Sequence, residues 1–134
     1  MSAPTHRILI VDDDADIRSI LTTNLEASGF EVISAENGQE GIEKAKEGGI
    51  DLILMDVRMP IMSGTEAVST MKTDEQLKAI PVIFLSNFGE EKEVDAWIDQ
   101  KFAKDLGAID YMKKSEDLSK IVERINSALT PPLA

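Results

Sequence analysis

The sequence predicts an α/β protein built on one parallel, five-stranded sheet with helices on both faces. Three observations carry that prediction. Short apolar runs of strand length alternate along the chain with longer segments of helical periodicity. The third run is apolar at nearly every position, as a strand covered on both faces requires. Four of the runs also meet a polar group at or just past their C-terminal edge, where open α/β folds bind ligands.

The first strand is Arg7-Ile8-Leu9-Ile10-Val11, which runs into Asp12-Asp13. Asp13 or Asp14 then caps a helix carrying Ile17, Ile20, Leu21 and Leu25 on one face, and Gly29 stops it. Phe30 to Ala35 is a second strand, shorter and more alternating, as suits a sheet edge. Asn37-Gly38 turns into a helix with Ile42 and Ala45 inward, closed by Gly48-Gly49.

The third strand, Asp51 to Met55, ends in Asp56. Asp56-Val57-Arg58-Met59-Pro60 is a loop, and Ser63 or Gly64 opens a third helix that buries Ala67, Val68 and Met71. Pro81 starts the fourth strand, where a missing amide donor is tolerated, and Leu85 leads into Ser86. Glu90 to Leu106 is a fourth helix ended by Gly107. A fifth strand covers Ile109 to Met112 and is followed by Lys113-Lys114. The last helix, Glu116 to Leu129, places Leu118, Ile121, Val122, Ile125 and Leu129 at helical spacing before Pro131-Pro132.

Five strands and five helices in strict alternation cross over right-handedly and build a parallel three-layer sandwich. In the flavodoxin-like (βα)5 order 2-1-3-4-5, the first and third strands are neighbours at the topological switch point. Asp12, Asp13 and Asp56 then share one crevice, with Ser86 and Lys114 on its far wall. The whole chain, 1–134, reads as a single domain with its core between 7 and 129, because no linker, repeat or low-complexity segment divides it.

Composition narrows the function. A 43% apolar content fits a folded domain, and a formal charge of -11 without any basic stripe argues against nucleic-acid binding. With no cysteine there are no disulfides, thiol nucleophiles or thiolate metal sites, which suits a reducing cytoplasm. His6 is the only histidine and lies in the N-terminal tail, so zinc and serine-triad chemistry lack their parts. No run reaches the roughly 18 to 20 apolar residues of a membrane span, and the N-terminus has no signal-peptide core. The expected location is cytoplasmic.

Three carboxylates brought close together repel, and a hard divalent cation relieves the repulsion. An oxygen-rich site with few protein ligands suits Mg2+, which keeps several waters and also binds phosphate oxygens. A phosphoryl group held there can be attacked in line by Asp56, giving an acyl phosphate. Lys114 neutralises a second phosphoryl oxygen and the Ser86 hydroxyl donates to a third. Taken singly, each residue has a plainer role: turn former, helix cap, loop hydroxyl or solvated charge. Their coincidence at the ends of four strands is what points to chemistry. An EF-hand reading fails, because the sixth and twelfth positions counted from Asp12 are Ile17 and Thr23. No dinucleotide-binding or P-loop signature follows the first strand.

Over Arg7 to Leu129 the chain resembles the receiver domain of two-component response regulators, most nearly the single-domain chemotaxis type. Ile8-Leu9-Ile10-Val11-Asp12-Asp13-Asp14 and Asp56-Val57-Arg58-Met59-Pro60-Ile61-Met62-Ser63-Gly64 are its most specific stretches. The resemblance implies that Asp56 accepts phosphate from a histidine kinase or a histidine phosphotransfer protein. It implies further that Asp13 and Asp56 bind Mg2+ directly, Asp12 through water, and the Arg58 backbone carbonyl completes the protein ligands. Ser86 fills the Ser/Thr switch position, Lys114 the lysine position, and Tyr111 the aromatic switch position, where plain packing is an equal alternative. On this view the protein is a phosphoacceptor rather than a turnover enzyme, and phosphorylation changes a surface that controls a separate partner.

Three departures from the family pattern stand out. Ser115 follows Lys114 where a proline after a cis bond is usual, so a trans bond is expected and Lys113 becomes an alternative to Lys114. The stretch from Ser86 to Gly107 is longer than usual and carries Trp97, read either as a partner anchor or as added core. Asn87 replaces a small residue. A second hypothesis is therefore an interaction module that works through the lengthened fourth helix without phosphorylation. A phosphoaspartyl hydrolase is disfavoured, because Arg58 stands where such an enzyme needs an acid.

Overall fold

Every expected strand forms, several of them displaced by a residue. The computed structural model describes residues 5–57, 59–86, 104–105, 107–113 and 117–129. Its elements are β1 (Arg7–Val11), α1 (Ala15–Ala27), β2 (Glu31–Ala35), α2 (Gly38–Lys46), β3 (Leu52–Asp56), α3 (Gly64–Lys72), β4 (Val82–Ser86), β5 (Asp110–Lys113) and a C-terminal helix, Leu118–Leu129. The sheet is parallel and its order is β2-β1-β3-β4-β5. The flavodoxin-like α/β fold expected from the sequence is the one observed.

The two-residue period of the strands divides the core in two. Leu9, Val11, Ile53, Met55, Val82 and Phe84 face α2 and α3, meeting Ile42, Ala45, Ala67, Val68 and Met71. Ile8, Ile10, Leu52, Leu54, Ile83 and Leu85 face α1 and the C-terminal helix, meeting Leu21, Leu25, Ile121 and Ile125. All of β3 is buried, as its unbroken apolar run required. Burying a side chain of this size contributes about 1.5–3 kcal/mol, so these two layers carry most of the favourable free energy of folding.

One helix facing and several strand boundaries differ from expectation; β2 starts at Glu31 rather than Phe30 and β4 at Val82 rather than Pro81. Ile20 is 51% exposed and not part of the core. Leu21 and Leu25 set the centre of the inward face of α1, and Ile20 lies about 100° around the helix from Leu21. Ile109 precedes β5 and is exposed, although its amide donates to the Val82 carbonyl at 2.8 Å. Asp51 precedes β3 because its carboxylate accepts from the Arg7 amide at 2.8 Å, closing the sheet end with a side chain. The expected fourth helix lies outside the described residues except for Lys104 and Asp105, which are helical. Gly107, with φ 112°, follows them, and its amide donates to the Lys104 carbonyl. Trp97 and Asn87 also lie outside the described residues.

The C-terminal helix has a cap that the periodicity did not mark. The Asp117 carboxylate accepts from the Ser119 amide at 3.0 Å and the Ser119 hydroxyl at 2.9 Å. The amide bond, then the hydroxyl bond, holds the Asp117 carboxyl below its ordinary value. A depressed folded-state value means stability that is present above the ordinary carboxylate pKa and lost as pH falls through the folded one. Asp117→Ala is accordingly expected to melt below the wild type at neutral pH, with the gap closing in acid; thermal melts across that range check it.

Candidate functional site

Parallel register assembles the site. Val11 of β1 lies opposite Met55 of β3, so the next residue of each, Asp12 and Asp56, emerge side by side at the carboxyl edge. Asp14 is the residue that caps α1: its side chain accepts from the Asp16 and Ile17 amides at 2.9 and 3.3 Å. Asp13 is thereby left to the crevice. One carboxylate oxygen from each of Asp12, Asp13 and Asp56 lies within 4.8 Å of the others. Asp12 and Asp56 are buried, and Asp13 faces solvent.

This set fits a magnesium ion. Oxygens around one octahedral Mg2+ bind at about 2.0–2.1 Å, which separates ligand pairs by roughly 3 to 4 Å. A mutual spacing of up to 4.8 Å spans that range and leaves slack for a ligand that acts through water. Hard carboxylate donors without sulfur or imidazole point to the same class of ion.

Local bonds hold the carboxylates in place. The Asp12 Oδ1 accepts from the Asp14 amide at 2.9 Å, and its backbone carbonyl accepts from the Arg18 guanidinium at 2.6 Å. On the other side, the Gly64 amide donates to the Val57 carbonyl at 2.9 Å, folding the loop back over Asp56. Ser63 and Glu66 close this loop with a reciprocal capping box at the start of α3. Between them Ile61 takes φ 69°, a conformation that a β-branched residue rarely adopts. The Met62 amide donates to the Pro60 carbonyl at 2.7 Å across it, and the Gly38 amide donates to the Met62 carbonyl at 3.0 Å. A strained turn thus ties the loop after β3 to the start of α2.

The remaining expected site residues are placed less completely. Ser86 ends β4 and pairs in register with Lys113, whose side chain is exposed. Lys114, Ser115 and Arg58 lie outside the described residues. Tyr111 is half-buried, and its ring packs against the core layer under α2 and α3. Its hydroxyl is buried and has no hydrogen-bond partner among the described residues. The roles of Arg18, Gly64 and Ile61 were not foreseen. The chain offers only a weak signal for them: an arginine one helical turn beyond the cap, and a glycine at a helix start.

Comparison with known proteins agrees with this geometry. A family model of the response regulator receiver domain matches residues 8–126. Over 123 residues the chain is 37% identical to protein PilH of Pseudomonas aeruginosa, covering 92% of this chain and 97% of PilH. It is 40% identical over 126 residues to chemotaxis protein CheY of Bacillus subtilis, covering 92% and 98% of the two. It spans about half the length of the matching Bacillus subtilis transcriptional regulatory proteins YkoG and PhoP, 50% and 48%. Among solved structures, response regulator TrrA of Thermotoga maritima in complex with Mg(2+)-BeF superposes with a TM-score of 0.77 at 30% identity, covering 93% of this chain and all of TrrA. The chain belongs to the response regulator receiver domain family.

Proposed function

We propose that this chain is a phosphorylatable receiver that takes a phosphoryl group onto Asp56 from a histidine kinase or histidine phosphotransfer protein. The observation that carries this reading is the meeting of Asp12, Asp13 and Asp56 within 4.8 Å at the switch point of the sheet. Magnesium, when bound there, neutralises the carboxylates and holds phosphoryl oxygens. Asp13 and Asp56 are its direct ligands in this proposal, with Asp12 acting through water and the Arg58 carbonyl completing the set. The Asp56 oxygen attacks phosphorus in line, the phosphorus–nitrogen bond of the donor breaks, and the histidine leaves with the electron pair. Burial of Asp56 shields the resulting acyl phosphate from water.

Phosphate brings charge that Ser86 and Lys114 pair, and the surface of the fourth helix, β5 and the C-terminal helix changes in response. Tyr111 is assigned to that change because a buried hydroxyl lacking a partner among the described residues gains from a rearrangement that supplies one. The output is control of a separate partner protein, without nucleic-acid binding, membrane insertion or turnover of a separate substrate, in the cytoplasm. Among the described residues no helix is long and apolar enough to cross a membrane. An intact carboxylate cluster weighs against the phosphorylation-independent alternative.

Incubation with Mg2+ and acetyl phosphate, followed over time by mass spectrometry, tests the reading. One phosphate per chain is expected on the wild type and none on Asp56→Asn or in EDTA. Labelling of Asp56→Asn to the same stoichiometry refutes the assignment.

A further inference from the structure

Arg18 sits one helical turn past the α1 cap, and its amide donates to the Asp14 carbonyl at 3.1 Å. Its guanidinium is half-buried and donates to the backbone carbonyl of Asp12 at 2.6 Å. It forms no ion pair among the described residues. A permanent positive charge is therefore held against the main chain of one carboxylate residue of the cluster without being consumed by any one carboxylate. We propose that Arg18 is a counter-ion built into the acidic edge, which offsets the mutual repulsion of Asp12, Asp13 and Asp56 and so sets how tightly they take a divalent cation.

The inference rests on the cluster being a divalent-cation site and goes one step past it. The Asp12 carbonyl and carboxylate belong to one residue, so a guanidinium bonded to the first lies well within a Debye length, about 8 Å, of the second. At that range salt screens the interaction only in part. Without a divalent ion, Arg18 lowers the repulsion among the carboxylates and helps keep them assembled. When the ion arrives, the same charge opposes it. Arg18 thus stabilises the ion-free protein and weakens cation binding. A purely mechanical clamp on Asp12 acts the other way, since loosening it misplaces a carboxylate and weakens binding. The two roles differ in sign.

Isothermal titration with Mg2+ at low ionic strength, with melts in EDTA, separates them. Arg18→Gln removes the charge and keeps a shorter polar side chain at the same place. Its Kd for Mg2+ is expected to fall roughly three- to tenfold, with a lower melting temperature in EDTA. Arg18→Lys keeps the charge and is expected to stay within about twofold of the wild type. Arg18→Met, which keeps the alkyl stem, is expected to follow Arg18→Gln. The difference between wild type and Arg18→Gln is expected to shrink toward zero in about 1 M KCl. Unchanged or weaker Mg2+ binding by both neutral variants, or a difference that ignores salt, overturns the proposal. Absence of Mg2+ binding by the wild type overturns the underlying cation site instead.

Discussion

Gly64→Ala is expected to destabilise the protein by roughly 3 kcal/mol, lowering the urea midpoint at neutral pH. Helix propensity alone argues the reverse, because alanine within a helix is about 1 kcal/mol better than glycine. Sterics decide the sign. A Cβ on Gly64 would stand 2.0 Å from the Asp56 carbonyl oxygen, 3.0 Å from its carbonyl carbon and 2.9 Å from Met55 Cγ. Two of these three atoms are main chain of β3, whose residues are all buried. Relief requires either the α3 start or β3 itself to move. The same shift displaces Asp56, so Mg2+ affinity is expected to fall with stability. An unchanged or higher urea midpoint would show that the loop after β3 yields without cost.

Asp13→Asn separates stability from ion binding more sharply. In EDTA the variant is expected to be more stable than the wild type by about 1 kcal/mol, since one of three like charges is removed. The gain is small because Asp13 faces solvent, where repulsion is screened. In Mg2+ the order is expected to invert, because a neutral amide is a poor substitute for a carboxylate ligand and affinity falls at least roughly tenfold. Thermal melts of both proteins, with and without Mg2+, check the crossing. Parallel shifts in both conditions would place Asp13 outside the cation site.

The architecture was legible because it depends on short-range periodicity. Apolar runs of five residues, bounded by glycines and caps, specify strands and helices locally, and strict alternation leaves few topologies open. Once β1 and β3 are parallel neighbours, the aspartates that follow them must meet. The position of the cluster therefore follows from residue order and register. The equivalence of Asp13 and Asp14 as caps did not resolve at that level. Both precede the same helix, and the choice rests on which carboxylate reaches the Asp16 and Ile17 amides.

Residue order and composition were enough for a parallel sheet with helices on both faces and, given the flavodoxin-like strand order, for the acidic edge, since the elements follow from patterns repeated within a few residues. Packing alone settled that Ile20 points to solvent, that Gly64 must lack a side chain, that Ile61 adopts a left-handed turn and that Arg18 reaches Asp12. Each of these depends on the distance between atoms of separate elements or turns, and no local pattern encodes such a distance before the layers close.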